Sequence, residues 1–202
     1  AVGLHFIDTY HRTGLYPMPL PSGIGLDGAG IVEAVGEGVS DIQVGDRVAY
    51  AGGPVGAYSQ VRCMPAHRLL KLPASIDFRT GAAMMLQGMT AAYLLRRTYR
   101  VQPGDAVLIH AAAGGVGLIA CQWAKALGAT VIGTVSTEAK AELARQHGCD
   151  HVILYTREDI VKRVRELTGG EGVAVVYDGV GKDTFAASLD CLRPRGMMVT
   201  FG

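Results

Sequence analysis

The chain has 202 residues, 49% hydrophobic and 18% charged, with 19 basic and 18 acidic side chains and a formal net charge of +1. That length buries a sizeable core in one large or two small domains, and the balance excludes a disordered polyelectrolyte. The charge is spread evenly, −1 over residues 1–88 and +2 over residues 89–202, which is not the clustered positive excess that grips a nucleic acid.

Residues 1–75 read as short strands and turns, mostly β. Gly28–Val35 is an apolar run bounded by Gly36 and Gly38, Val44–Tyr50 is a turn feeding a strand, and Gly56–Val61 alternates toward another. From Ile76 the pattern turns helical, first with Ala82, Ala83 and Leu86, then after Gly88 with Ala92, Leu94 and Leu95. Thr90 is placed to cap the second of these two helices, and a domain boundary near it divides the chain into residues 1–87 and 88–202. The longest apolar run, Ala82–Leu95, falls short of the ~18 residues a membrane span requires and carries Gln87 and Thr90, so no span is expected. The first residues show no secretory signal, and the cytoplasm is the expected location. Cys63, Cys121, Cys149 and Cys191 form no C-x-x-C pair and read as reduced thiols.

Beyond Gly104 strand and helix alternate. Strand Ala106–His110 leads through Ala111–Gly117 into a helix whose apolar positions Val116, Ile119, Ala120, Trp123, Ala124 and Leu127 share a face, closed by Gly128. Strand Thr130–Val135, helix Glu138–Gln146, strand His151–Leu154 and helix Glu158–Leu167 follow. Strand Val173–Asp178, helix Asp183–Leu192 and strand Gly196–Phe201 complete the series. The order β-α-β-α-β-α-β-α-β is that of an α/β protein with a Rossmann-type doubly wound parallel sheet. The chain starts without Met and stops directly after a strand, so it reads as an internal piece of a longer protein.

The chemistry gathers at the turns. Ala112-Ala113-Gly114-Gly115-Val116-Gly117 follows a strand and opens a helix, the place where small residues let backbone amides approach a pyrophosphate and the helix dipole favours its charge. An Asp or Glu ~20 residues past the glycines would hold the ribose 2′-hydroxyl of NAD. The count from Gly117 instead reaches Val135-Ser136-Thr137, with Lys140 one helical turn on, a hydroxyl and a cation suited to a 2′-phosphate. Glu138 is expected on the solvent side, where it favours the helix N-terminus. His110 is read as a packing or hydrogen-bonded residue rather than a catalyst.

These residues resemble the zinc-independent quinone oxidoreductases of the medium-chain dehydrogenase/reductase superfamily, which include the zeta-crystallins. Gly104-Asp105, Leu108, Ala112–Gly115, Gly117, Gln122 and Lys125 reproduce the family's signature spacing, and Asp8-Thr-Tyr10, Arg12, Gly14 and Tyr16-Pro17 look like its first active-site segment. The resemblance implies a partial GroES-like β domain before a Rossmann domain that lacks its last strand. Zinc-dependent relatives carry Gly-His-Glu where this chain has Gly25-Leu26-Asp27, and no metal site is expected, because leucine cannot ligate zinc.

Carried over position by position, the resemblance puts Thr90 and Tyr93 on the nicotinamide side of a bound NADPH, and Ala113, Gly114, Gly115, Val116 and Gly117 against its pyrophosphate. Ser136, Thr137, Lys140 and Tyr155 become the 2′-phosphate cradle, and Val180 part of the loop over the cofactor. The backbone of Phe6, Ile7 and Asp8 faces the nicotinamide, and Tyr10 walls the substrate pocket. His5 stands where the family commonly has Asn, and is a candidate proton donor to the reduced quinone oxygen. The implied reaction is metal-free hydride transfer from NADPH to a quinone, in a protein that is a homodimer when full length. The alternatives are an NADPH-dependent enone or alkenal reductase and, from another class, an RNA-binding or structural crystallin-like protein, to which the even charge lends little support.

Overall fold

Where the sequence suggests only strands and turns, the first unit of the molecule begins with a helix. The computed structural model describes residues 1–202, whose contacts fall into two units, Ala1–Met89 and Thr90–Gly202. In the first, helix α1 spans Phe6–Thr13; the Asp8 carboxylate in its first turn accepts the His5 amide at 2.9 Å, and Gly14 ends it in the left-handed region at φ 76°. His11 and Arg12 sit in its last turn, where positive charge suits the dipole. Eight residues are too few for a clear apolar stripe, so the helix was hidden behind its neighbours' turn signals.

Strands β1 (Gly28–Ile31), β2 (Arg47–Tyr50) and β3 (Leu70–Lys71) pair antiparallel in that order. They are shorter than expected, and Gly56–Val61 is not a strand: the amides of Gly56 and Ala57 both turn to the Gly25 carbonyl, at 3.0 and 3.1 Å, and that of Tyr58 to Ile24 at 3.0 Å. The alternation there reflects Ala57 packing inward and the Tyr58 ring lying on Gly25, where a Cβ would stand 2.4 Å from the ring. Ala29, Ala49, Leu72, Ala82 and Met85 form this unit's core.

Helix α2 runs Phe78–Tyr93, with Asp77 accepting the Thr80 amide at 2.9 Å at its start. It continues through Gly88 and Thr90 into a π-helical turn, Leu94–Thr98, so Thr90 is an interior residue and not the cap of a second helix. A single helical glycine costs only ~1 kcal/mol, which the buried flanks Met85, Ala91, Leu94 and Leu95 outweigh.

The second unit carries a parallel sheet in the order β6-β5-β4-β7-β8. Its strands are β4 (Ala106–Ile109), β5 (Thr130–Val135), β6 (His151–Leu154), β7 (Val173–Asp178) and β8 (Leu192–Thr200). The intervening helices are α3 (Gly115–Ala126), α4 (Glu138–Gln146), α5 (Ile160–Leu167) and α6 (Phe185–Asp190). Side chains alternate between two cores: Val107, Ile109, Val131, Val175 and Tyr177 join the α3 face, while Leu108, Ile132, Ile153 and Val176 join Val164 and Cys191 opposite. Strands buried on both faces read as unbroken apolar runs, and this makes the unit's α/β class legible in the sequence.

Several boundaries differ from expectation, among them β8, which begins at Leu192 and not at Gly196. Asp159 caps α5 through the Lys162 amide at 2.9 Å, and Glu158 stays outside to accept the Leu154 amide at 2.7 Å. α6 is shorter than Asp183–Leu192 because Leu192 already pairs with Val173 in β8, whose register shifts between Val173 and Val175. All four cysteines are free thiols, and only Cys63 is exposed.

Candidate functional site

Chain order places β4 in the middle of the second sheet and sends the strands outward from it in both directions, so the topology reverses between β4 and β7. In doubly wound sheets a crevice opens there, at the carboxyl ends of the strands. The turn after β4 has no side-chain cap on α3: Gly114 is the N-cap, its own amide donating to the Ala111 carbonyl at 2.8 Å, and within α3 Leu118 is the first amide to return to a carbonyl, that of Gly114, at 2.9 Å. Gly114 and Gly115 are exposed, Ala113 and Val116 half-buried, and Gly117 buried. A Cβ on Gly117 would stand 2.4 Å from the Ala111 carbonyl oxygen and 2.7 Å from that of Ala112, so only glycine lets the helix begin this close to the turn. Open amides at the head of a twelve-residue helix fit a diphosphate.

At the end of β5, Lys140 Nζ donates to Ser136 Oγ at 3.3 Å, and Thr137 caps α4 by accepting the Lys140 amide at 3.3 Å. Tyr155 stands beside them, its amide donating to the Val135 carbonyl at 3.3 Å and its side chain half-exposed. Glu138 points away to Arg157, 3.7 Å off in an exposed pair. No carboxylate therefore faces the Ser136–Lys140 group, and the residues present fit a phosphate on a ribose.

After β7 the chain turns around Asp178. This fully buried carboxylate accepts the Val180 and Gly181 amides on Oδ1, each at 2.9 Å, and on Oδ2 the hydroxyls of Thr184 at 2.7 Å and Ser188 at 2.9 Å. Burial alone would raise its carboxyl, but the bonds from Gly181, Thr184, Val180 and Ser188 outweigh burial and hold it below the usual carboxylate range. The turn leaves Val180 half-exposed. His110 follows β4 and is buried; its Nδ1 lies 2.9 Å from Thr134 Oγ1 and its Nε2 3.0 Å from Ser188 Oγ. Burial pushes this imidazole below its ordinary value, against the pull of the Asp178 charge. Sequence reasoning placed His110 among hydrogen-bonded residues but missed Thr134, Asp178 and Ser188; the available signal was a set of polar side chains closing otherwise apolar strands and an apolar helix.

Thr90 and Tyr93 lie one turn apart near the end of α2, half-buried and exposed respectively.

In the first unit, Phe6, Ile7 and Asp8 form the first turn of α1, with Phe6 80% exposed and Asp8 buried. Asp8 Oδ2 also accepts the Tyr58 hydroxyl at 3.0 Å. Tyr10 stands edge-on to Tyr16, ring centres 5.4 Å apart. The His5 side chain is 4% exposed: Nε2 faces the Asp27 carboxylate at 3.0 Å, an approach too oblique for a well-aligned hydrogen bond, and Nδ1 meets the Gln87 amide nitrogen at 2.7 Å. That geometry fits a proton on Nε2 and an acceptor at Nδ1, so neither nitrogen is open to a substrate oxygen. In this arrangement His5 anchors the entry to α1. Asp27 also accepts the Leu86 amide at 2.8 Å, yet burial outweighs both partners and raises its carboxyl above the ordinary value. Leu26 is buried beside it, and no three His, Cys, Asp or Glu side chains gather in a metal-holding group.

A doubly wound sheet with a glycine-opened helix at its switch point, in one chain with a small antiparallel β unit, is the α/β architecture of the medium-chain dehydrogenase/reductase fold. The pattern described as "Alcohol dehydrogenase GroES-like domain" matches residues 1–74, and that described as "Zinc-binding dehydrogenase" matches residues 115–202. The chain belongs to the quinone oxidoreductase family of the medium-chain dehydrogenases/reductases. It is 60% identical to the quinone oxidoreductase of Pseudomonas aeruginosa, over 100% of this chain and 62% of that protein. It is 56% identical to a 2-haloacrylate reductase of Burkholderia sp., with the same coverage of 100% and 62%. The crystal structure of Escherichia coli quinone oxidoreductase complexed with NADPH superimposes at a TM-score of 0.97, with 58% identity over 100% of this chain and 62% of that one. The chain thus spans 62% of the length of these relatives.

Proposed function

We propose that the protein containing this chain is an NADPH-dependent quinone reductase working without a metal ion. The observation that carries this reading is the end of β5, where Ser136 and Lys140 adjoin and Glu138 turns away to Arg157. A 2′-phosphate there meets a cation and a hydroxyl and no facing carboxylate, so NADPH is favoured over NADH. Residues 88–202 are the NADP-binding part, and residues 1–87 the partial GroES-like part that supplies the substrate side. The relatives support the assignment: two are named quinone oxidoreductases, and one of these was crystallised with NADPH.

Bound NADPH supplies the hydride, from C4 of its nicotinamide. The chain positions and stabilises. The amides of Gly115, Val116 and Gly117 receive the pyrophosphate, with Ala113 and Gly114 leaving room beside them, and Ser136, Thr137, Lys140 and Tyr155 receive the 2′-phosphate. Val180 covers the cofactor, and Thr90 and Tyr93 line the nicotinamide side. The backbone of Phe6, Ile7 and Asp8 faces the nicotinamide, and Tyr10 walls the quinone pocket. A quinone accepts hydride readily, so orientation does most of the work and no nucleophile is required. The test is NADPH oxidation by the full-length protein, which is expected to depend on added quinone; oxidation indifferent to quinone defeats the reading.

A second reading, reduction of a double bond conjugated to a carbonyl, is favoured by the 2-haloacrylate reductase among the relatives. Comparing turnover of simple quinones and simple enones separates the two. We further place the full-length protein in the cytoplasm as a homodimer, on the resemblance to its family; sedimentation and cell fractionation check each. No helix is long and apolar enough to cross a membrane.

A further inference from the structure

His110 is absent from the binding groups above, yet its side chain bridges two elements beside them, strand β5 and helix α6. It links Thr134 of β5, through Nδ1, to Ser188 of α6, through Nε2, and Ser188 passes the connection to Asp178 and so to the amides of Val180 and Gly181. Donor and acceptor counting settles the protons. A carboxylate only accepts, so the single hydroxyl proton of Ser188 goes to Asp178, and Ser188 Oγ must then receive a proton from Nε2. Burial disfavours a second proton on the ring and leaves Nδ1 to accept the Thr134 hydroxyl. The backbone repeats the connection: the His110 amide donates to the Tyr177 carbonyl of β7 at 3.0 Å, and the Ala112 amide to the Thr134 carbonyl at 3.1 Å. Ala111 between them sits at φ 50°, a left-handed conformation that a non-glycine residue holds only when its neighbours fix it.

We propose that His110 is a positioning residue that ties the glycine turn after β4 and the end of β5 to the Val180 loop, so that a dinucleotide meets three loops already in place. The proposal rests on the reading of this edge as the NADPH site. Loops ordered before binding do not have to lose their freedom during it, so the tie strengthens affinity without touching the cofactor. A histidine that only filled space would be replaceable by any side chain of similar volume.

The experiment measures, in the full-length protein, amide hydrogen exchange at Val180 and Gly181 without cofactor, and NADPH dissociation constants, for wild type and the His110→Phe, His110→Gln and Lys140→Ala variants. His110→Phe keeps the volume and removes both links; exchange at the two amides accelerates about tenfold and NADPH binding weakens by about the same factor. His110→Gln keeps a donor toward Ser188 and restores both quantities to within about threefold of wild type. Unchanged exchange in His110→Phe overturns the proposal and makes the residue a space-filler. If His110→Phe leaves NADPH affinity intact while Lys140→Ala weakens it, the cofactor reading survives and the tie is overturned. If wild type itself binds no NADPH, the reading of the edge has failed, and the proposal falls with it. Should His110→Phe not fold, Ser188→Ala cuts the same chain one link on with less disturbance and must reproduce the exchange result.

Discussion

Asp27 in the first unit and Asp178 in the second are both fully buried carboxylates near a buried histidine, and their acidities move in opposite directions. Asp27 faces His5 directly and has one well-aligned amide donor, Leu86; desolvation wins and its carboxyl is raised. Asp178 reaches His110 only through Ser188, but two amides and two hydroxyls surround it, and they win over desolvation. A buried charge is kept by the number of well-aligned donors aimed at it. The well-served carboxylate organises the turn at the proposed cofactor edge, where backbone geometry must be held.

Substitutions break this contrast in order of size. Asp178→Ala strands four donors in the interior and is expected to destabilise the second unit by about 3–5 kcal/mol, read from urea unfolding followed by a probe in that unit. Gly117→Ala sets a methyl group against the Ala111 carbonyl and moves the head of α3; a loss of about 2 kcal/mol in stability and of most NADPH binding is expected, from the same unfolding curve and a fluorescence titration. Asp27→Asn, by contrast, removes a charge that burial already disfavours and is expected to cost under about 1 kcal/mol. If Asp27→Asn proves as damaging as Asp178→Ala, the contrast is wrong.

Acid sharpens the same comparison. Asp178 is depressed when folded, so its contribution is present above the unfolded carboxylate value and lost as pH falls through its lower folded value. His110 is depressed too: the unfolded ring binds its proton first, so stability drops as pH falls below about 6.5. Asp27 is raised, and its folded form holds the proton longer; its contribution therefore declines as pH rises through the window above 3.8. A stability–pH profile that flattens near pH 6 in His110→Phe, but not in Asp27→Asn, agrees with these signs. The smallest effect belongs to His5→Asn: with both ring nitrogens turned inward, quinone turnover and its pH profile are expected to stay close to wild type in steady-state kinetics.

How far the sequence could be read follows from the same physics. Strands buried on both faces and helices with a clear apolar stripe announce themselves over ten residues, so the α/β order and the uncapped glycine turn were visible. Helix α1 was too short to show a period, and Thr90 looked like a cap because a glycine stood before it. The Gly56–Val61 alternation came from packing on Gly25 and not from a ladder. The polar ends of the strands marked the members of the Asp178 network but not their pairing: His110 lies 24 residues from Thr134 and 78 from Ser188, and only the folded sheet brings them within 3.0 Å.

The most direct measurement of the central claim is a titration of the full-length protein with NADPH and NADH, wild type and Lys140→Ala side by side. The account predicts tighter NADPH binding by wild type and a preference cut by about 1.5–3 kcal/mol in the variant, the worth of a charge-assisted contact. Equal affinity for both dinucleotides in wild type, or a preference that survives the loss of Lys140, would contradict it.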